Sequence, residues 1–247
     1  MFDPIPPRAS ANLLAEQQLR DAILAGRLAP GAKLPTEREL STQFGISRLT
    51  LRAALATLAA QGLLHVRQGS GYIVRDIRES GGSDLLPGIV ARLDAGADGA
   101  DGTELADLLR MRRYVAAALL EALVERPPSK AARAAVSDAI ETFAVIPPKD
   151  IDALAHADLA IVRALLAAAN SLVLQVCLNP IVAVVQNNAA LRAAMYREPA
   201  SNLVSWRGVH AWLVRPVATA IPTLLGLLAQ HDARTLAAIT RRRKAKV

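Results

Sequence analysis

The sequence predicts a mostly α-helical protein with two domains, and three observations support this. The chain is 52% hydrophobic but only 3% aromatic, with abundant Ala and Leu, which favours helices over strands. Helical patterns broken by turn signals fill residues 1–76, and longer Ala/Leu helical patterns fill residues 104–240. Residues 77–103 between them are rich in Gly and Asp. We therefore predict an N-terminal domain at 10–76, a linker at 77–103 and an all-helical bundle at 104–243.

The N-terminal region predicts three helices, of which the last two are joined by a tight turn. A first amphipathic helix is expected at Asn12–Leu24. Thr36 and Glu39 have the spacing of a capping box, which predicts a second helix running to about Gln43. Gly45 then makes a turn, and Ser47 caps a third helix that ends near residue 61. Two helices with this connection predict a helix-turn-helix. The apolar side of the first helix is expected to carry Leu13, Leu14, Leu19, Ile23 and Leu24.

Polar side chains gather at the beginning of the third helix, which is where a recognition helix meets DNA bases. Arg48 and Arg52 can each donate two hydrogen bonds to guanine. Ser47 and Thr50 suit phosphate oxygens. Residues 1–76 contain nine basic and six acidic residues, and this excess of positive charge agrees with a DNA partner.

A β-hairpin is expected directly after the third helix. Two short alternating segments, Leu64–Arg67 and Tyr72–Val74, flank a Gly-containing turn. Such a hairpin after a helix-turn-helix is a wing, and its small residues can approach DNA closely. Arg67, just before the turn, supplies a positive charge.

Three runs of sequence in this region resemble the GntR family of regulators over about residues 10–76. They are GAKLPTEREL from Gly31, FGISRLTLRAAL from Phe44 and RQGSGYIV from Arg67. The resemblance implies a winged helix-turn-helix that binds a double-stranded DNA operator. It also implies that the DNA contacts are Arg38, Arg48, Thr50, Arg52 and the wing-tip residues Gln68, Gly69 and Ser70.

The second half resembles the FadR subgroup of that family, whose effector-binding domain, called FCD, is all helical. The resemblance is carried by LLRMRRYV from Leu108, DLAIVRALLAAAN from Asp158 and LLGLLAQHDARTLAA from Leu224. The predicted helices are Leu105–Val124, Lys130–Phe143, Ile151–Ala169, Leu172–Ala190, Trp206–Leu225 and Ala233–Arg242.

Many members of that subgroup bind a divalent metal through an Asp, a His four residues later and two further His residues. Here Asp158 stands at the first position, but Val162, Ile221 and Arg243 stand at the other three. One carboxylate does not hold such an ion tightly. We therefore expect neither a metal nor another cofactor.

The expected effector-binding residues are Arg112, Asp158 and His210. The resemblance places Arg112 and Asp158 on helices that face the effector pocket, and His210 follows Trp206 by one helical turn. Arg112 either grips a carboxylate of the effector or neutralises Asp158 directly. Other groups are expected outside the site: Arg110 and Arg113 as surface charges, His156 on a different face from Asp158, His231 in a polar turn beside Asp232, and Cys177 as a buried thiol.

The function implied by the resemblance is a metabolite-responsive repressor that binds a palindromic operator as a homodimer. We expect it in the cytoplasm and not in a membrane, because the N-terminus lacks an apolar signal region and Pro180 interrupts the most apolar stretch. Two alternatives remain at this point. One is a DNA-binding domain fused to an enzyme, for which no catalytic arrangement is evident. The other is fusion to an α/β effector domain, which requires β-rich segments.

Overall fold

A computed structural model describes residues 11–67, 69, 71–94 and 103–244. The chain divides into two compact units. The N-terminal unit extends to Ile89 and the C-terminal unit begins at Val90. The expected DNA contacts Gln68 and Ser70 lie outside the described residues.

The N-terminal unit is a winged helix-turn-helix, as predicted. Its apolar core includes Leu51, Leu55 and Leu58 of the third helix, all with no exposed surface. The elements in chain order are α1 (Ala11–Leu24), α2 (Glu37–Phe44), α3 (Arg48–Ala60), β1 (Leu64–Arg67), β2 (Gly71–Val74), α4 (Ile77–Ser80), a 3-10 turn (Ser83–Leu85) and the first residues of α5 (Leu86–Asp94).

Local sequence signals set the limits of α2 and α3. The Thr36 hydroxyl accepts a hydrogen bond from the Glu39 backbone N–H at 3.3 Å, and the Glu39 carboxylate accepts one from the Thr36 N–H at 2.8 Å. This reciprocal capping box confirms the predicted start of α2. Gly45 ends α2 in the left-handed conformation with φ 64°, and the Ser47 hydroxyl caps α3 by accepting from the Thr50 N–H at 3.1 Å.

The predicted hairpin is also present. Strands β1 and β2 pair antiparallel, with Leu64 opposite Val74 and Arg67 opposite Gly71. A bridge between Lys33 and Ile73 attaches the segment before α2 to this hairpin. The wing is thereby fixed to the body of the N-terminal unit.

Two expectations for the N-terminal half differ from the structure. Much of the expected linker is helical and belongs to the N-terminal unit, because Leu85 is buried in its core and Ile77 and Ile89 pack against that core. The many glycines of this segment favoured a linker, so the packing of its apolar residues against the core was not predicted. On α1, Leu13 and Leu14 are more than half exposed, and the helix buries its other face through Ala15, Leu19 and Ile23.

The C-terminal unit is all helical across the described residues 103–244. The order is α6 (Thr103–Glu125), α7 (Lys130–Ala144), α8 (Ile151–Ala169), α9 (Leu172–Asn187), α10 (Ala189–Met195), α11 (Pro199–Leu213), a 3-10 turn (Ala218–Ala220) and α12 (Ile221–Lys244).

The last three helices differ from the predicted ones. The Asn188 side chain accepts from the Leu191 N–H at 2.7 Å and starts α10, which the sequence analysis missed. The helix expected at Trp206–Leu225 is interrupted around Pro216, whereas α12 continues through the expected polar turn at Asp232. The exposed thiol of Cys177 also differs from the buried one expected.

Among the described residues, no single helix is long and apolar enough to cross a bilayer. Only α9 and α10 together reach the required length and composition, and they are bent by 97°.

Candidate functional site

The first surface of interest is the beginning of α3 in the N-terminal unit. Ser47, Arg48 and Arg52 are exposed there, and Thr50 is partly exposed. The hydroxyls of Ser47 and Thr50 lie 2.8 Å apart, so these two side chains support each other at the helix start. The structure therefore presents four of the predicted DNA-contact residues on the first two turns of one capped helix.

Arg52 is also held by an acidic neighbour on α2. Its Nε donates to the Glu37 carboxylate at 2.7 Å, and 66% of the Arg52 side chain remains exposed. An exposed ion pair of this kind contributes little to stability. It orients the guanidinium and leaves Arg52 able to exchange this partner for a base or phosphate.

The remaining predicted contacts in the N-terminal unit lie on two other elements. Arg38 is exposed on α2, and Arg67 is exposed at the end of β1. Gly69 has φ 75°, a conformation that favours glycine, and a Cβ there would meet nothing within 4 Å. The described part of the wing tip is thus small and open.

Leu49 is an exposed residue of this surface that the sequence analysis did not single out. It lies between Ser47 and Thr50, and 80% of its side chain surface is exposed. An apolar side chain on a recognition helix can contact the methyl group of thymine. The signal in the sequence was a leucine that departs from the spacing of the buried Leu51, Leu55 and Leu58.

The second feature is a cavity of about 170 Å³ inside the C-terminal unit. Most of its lining consists of Ala, Val, Leu, Ile and Met side chains from several helices. The polar residues that also line it are Arg112, Asp158, Tyr196, Asn202, Ser205, Trp206 and His231. Arg112 and Asp158 thus line one cavity, in agreement with their predicted placement.

Asp158 on α8 is buried and accepts hydrogen bonds on both carboxylate oxygens. Trp206 on α11 donates through Nε1 to Oδ1 at 2.6 Å, and the Tyr196 hydroxyl donates to Oδ2 at 3.0 Å. Burial raises the pKa of the Asp158 carboxyl, while the Trp206 hydrogen bond, the charge of Arg112 and the Tyr196 hydrogen bond act in the opposite direction. Two aromatic donors therefore stabilise the carboxylate inside an apolar bundle.

Arg112 has a different partner from the one expected. Its guanidinium donates to Oδ1 of Asp232 on α12, and Arg113 donates to Oδ2 of the same carboxylate at 2.6 Å. Asp232 is only 1% exposed. Arg112 was expected either to grip an effector carboxylate or to neutralise Asp158. Its charge acts on the Asp158 carboxyl, but its hydrogen bond goes to Asp232. Arg113, expected as a surface charge, is only partly exposed and shares that carboxylate. The pairing was missed because Asp232 was assigned to a polar turn, whereas it faces inward from a continuous helix.

The histidine that lines the cavity is His231 and not His210, which was expected there. His210 is partly buried on α11 but does not line the cavity, whereas His231 on α12 does. Burial, reinforced by the positive charges of Arg112 and Arg234, lowers the pKa of His231 to about 4. His231 is therefore neutral at physiological pH and presents an uncharged imidazole to the cavity.

The residues around Asp158 do not fit the metal-binding pattern that the resemblance to the FadR subgroup raised. Both carboxylate oxygens already accept hydrogen bonds, and Val162, which lines the cavity, cannot ligate. Ile221 begins α12, and the side chain of Arg243 lies outside the described residues. Across the described parts of the chain, no three His, Cys, Asp or Glu residues are grouped so as to hold a metal ion.

Comparison with known proteins bears on both units. The family model described as "Bacterial regulatory proteins, gntR family" matches residues 13–74. The fatty acid metabolism regulator protein of Edwardsiella ictaluri is 36% identical over 176 residues, covering 70% of this chain and 65% of that protein. The HTH-type transcriptional regulator Mce2R of Mycobacterium tuberculosis is 43% identical over 91 residues, covering 37% of this chain and 38% of that protein.

These alignments span less than two thirds of the relatives' own lengths. A solved structure shares the fold across almost the whole chain. It is that of Lar, described as controlling the expression of the Listeria monocytogenes agr system, with a TM-score of 0.59, 15% identity and coverage of 98% of this chain and 99% of that one. The motifs at Gly31, Phe44 and Arg67 predicted the family of the N-terminal domain, and this is confirmed: residues 13–74 are a DNA-binding domain of the gntR family of bacterial regulatory proteins.

Proposed function

We propose that this chain is a sequence-specific DNA-binding transcription regulator. The observation that carries the proposal is the exposed pair Arg48 and Arg52 on the capped first turns of α3, within a gntR-type winged helix-turn-helix. Helix α3 enters the major groove, and its two guanidinium groups read guanine edges. Ser47 and Thr50 hold phosphate oxygens, while Arg38, Arg67 and the wing tip contact the flanking backbone.

The regulator acts as a homodimer on a palindromic operator. A single recognition helix reads only a few base pairs, and two copies related by a two-fold axis double that sequence information. A protein that acts on chromosomal DNA works in the cytoplasm of a bacterium.

The C-terminal unit is the sensor in this proposal. Its cavity, lined by Arg112 and Asp158, binds a small molecule, and binding shifts the population between conformations that differ in operator affinity. We propose repression that the small molecule relieves. An α/β effector domain is not supported, because residues 103–244 consist of helices and their connections. Regulation of transcription, and not catalysis, is the proposed activity.

The proposal is tested by selecting operator fragments from genomic DNA with the purified chain. Affinity is then measured by fluorescence anisotropy at one fixed salt concentration. Arg48→Ala and Arg52→Ala should each weaken operator binding by about 1–3 kcal/mol and relax the base preference. The matched control is Arg207→Ala, which removes an exposed arginine of α11 in the C-terminal unit.

The control should bind the operator as the unmodified chain does. The proposal is contradicted if selection enriches no common sequence, or if both variants at α3 keep full operator affinity and base preference.

A further inference from the structure

The cavity in the C-terminal unit restricts the kind of molecule that the proposed regulator senses. We propose that it binds a compact, mostly apolar and uncharged molecule with one oxygen that accepts a hydrogen bond from Arg112. This inference rests on the proposed function and specifies its effector class. The proposal excludes both carboxylates and molecules with a long acyl chain as ligands of this cavity.

The size of the cavity suits a compact ligand. The cavity measures about 170 Å³, close to the roughly 150 Å³ of an engineered apolar cavity that takes up benzene. A long-chain acyl group has many more carbon atoms and exceeds this volume. Compactness therefore distinguishes this cavity from a site for a long hydrocarbon chain.

The charges around the cavity suit an uncharged ligand. At the polar end of the cavity, Arg112 shares the carboxylate of Asp232 with Arg113, and the charge of Arg112 also acts on the carboxyl group of Asp158. With Asp158 ionised these four groups sum to zero, and His231 adds no charge because its pKa is about 4. A carboxylate entering this site would bring a charge that no group balances, and burying an unbalanced charge is costly.

Two further cations act on residues that line the cavity, Arg192 on Tyr196 and Arg234 on His231, and both are already paired. Arg192 donates to Asp152 at 2.8 Å, and Arg234 lies 3.4 Å from Glu198. Neither is available to balance a bound anion without losing its own partner. The positive charges of Arg192 and Arg234 are therefore each matched by a carboxylate of the protein.

One buried hydrogen-bond donor of Arg112 is unused in the part of the chain that the structure describes. Arg112 lines the cavity, and its buried Nε has no hydrogen-bond partner among the described residues. A buried donor without an acceptor is destabilising, and a ligand oxygen that reached this nitrogen would remove that cost. An alcohol, an ether or a carbonyl compound supplies such an oxygen without adding charge.

The experiment compares alcohols and carboxylates that share a carbon skeleton. Benzyl alcohol and benzoate, cyclohexylmethanol and cyclohexanecarboxylate, and hexan-1-ol and hexanoate are titrated into the full chain by calorimetry. Hexadecanoate serves as the long-chain probe. The titrations are made at pH 8 to favour the ionised form of Asp158. At least one alcohol should bind, about tenfold or more tightly than its matched carboxylate, because only the carboxylate carries an unbalanced charge.

Two pairs of variants locate the binding and test its cause. Val162→Phe fills the cavity and should abolish alcohol binding, whereas Val145→Phe, at a residue 79% exposed, should not. Asp158→Asn removes one negative charge from the site and should shift the preference toward the carboxylate by about tenfold. Asp107→Asn makes the same charge change at an exposed residue of α6 and should leave the preference unchanged.

The inference is overturned if no alcohol binds, if a carboxylate binds as well as its alcohol, or if hexadecanoate binds where the alcohols do not. If Asp158→Asn does not fold, the ratio of alcohol to carboxylate affinity measured on the unmodified chain still decides whether the inference holds. The same preparation is assayed for operator binding without ligand. Operator binding without alcohol binding rejects the effector class alone, whereas alcohol binding without operator binding rejects the proposed regulator.

Discussion

Gly62, at the end of α3, packs directly beneath the backbone of Ser80 at the end of α4. The Ser80 hydroxyl donates to the Gly62 carbonyl at 2.7 Å, and a Cβ at Gly62 would lie 1.9 Å from the Ser80 carbonyl oxygen. Gly62 also has φ 75°, which favours glycine. The segment that follows the wing is therefore attached to the end of the recognition helix through a contact that admits no side chain.

Gly62→Ala should destabilise the N-terminal unit, because it adds both a backbone clash and the cost of a left-handed alanine. The left-handed conformation alone costs about 1–2 kcal/mol. Gly26→Ala is the matched control, since Gly26 has φ 72° but open space around it. Amide hydrogen exchange in α3 measures the effect. Gly62→Ala should lose clearly more protection than Gly26→Ala, and equal losses would mean that the Ser80 contact is relieved at no cost.

Asp232→Asn should strongly destabilise the C-terminal unit. The change leaves Arg112 and Arg113 largely buried without their shared carboxylate, and breaking a buried ion pair typically costs about 3–5 kcal/mol. Asp107→Asn is the control, because it breaks an exposed pair with Arg110, and exposed pairs contribute about 0–1 kcal/mol.

Both tryptophans, Trp206 and Trp212, belong to the C-terminal unit, so urea unfolding followed by tryptophan fluorescence reports on that unit. If the Asp232 and Asp107 substitutions had similarly small effects, the ion pairs of Asp232 with Arg112 and Arg113 would not stabilise the bundle.

The lowered pKa of the partly buried His231 predicts loss of stability of the C-terminal unit in mild acid. Its pKa is about 4 in the folded chain and 6.5 ordinarily, so the unfolded chain binds more protons between these values. Stability is therefore complete above pH 6.5 and falls as the pH decreases toward 4, by about 2 kcal/mol between pH 7 and pH 4.5. The raised pKa of Asp158 acts in the opposite sense, so a comparison of variants is required.

His231→Gln removes the titrating group and keeps a polar side chain of similar length. Urea unfolding at pH 7 and pH 4.5 should show a smaller acid-induced loss in this variant than in the unmodified chain. His156→Gln, at an exposed residue of α8, is the control and should behave as the unmodified chain does. Equal losses in all three proteins would contradict the lowered pKa of His231.

Leu49→Ala should weaken binding to operators that place a thymine methyl against α3. Leu49 is 80% exposed, so its truncation spares the fold, and each lost methylene contact costs about 0.8 kcal/mol. Replacing operator thymines by uracil removes the methyl groups and should reproduce the loss. Leu172→Ala, at an exposed residue of α9, is the control. If the unmodified chain does not distinguish thymine from uracil at any position, Leu49 makes no such contact.

Sequence alone predicted those parts of the structure that short-range chemistry determines. The capping box of Thr36 and Glu39, the Ser47 cap and the hairpin from Leu64 to Val74 each depend on residues a few positions apart. Such signals are visible in one sequence because capping and turn formation are local. They also place Arg48 and Arg52 correctly at the start of α3.

The sequence did not predict the long-range pairings of the cavity. Arg112 precedes its partner Asp232 by 120 residues, and no periodicity indicates that these two side chains meet. Asp232 follows a histidine and a glutamine, a polar run that favours a turn, and only packing shows that α12 continues through it. His231 was not predicted at the cavity for the same reason: its place there depends on tertiary packing and not on a local sequence pattern.

Hydroxyl-radical footprinting of the full chain on its selected operator tests the central claim, sequence-specific recognition by two α3 helices, most directly. The account predicts protection in two half-sites related by a two-fold axis, and Arg48→Ala should lose protection at the same base pair in both halves. Protection of one unrepeated segment, or equal protection of operator and random DNA, would contradict it.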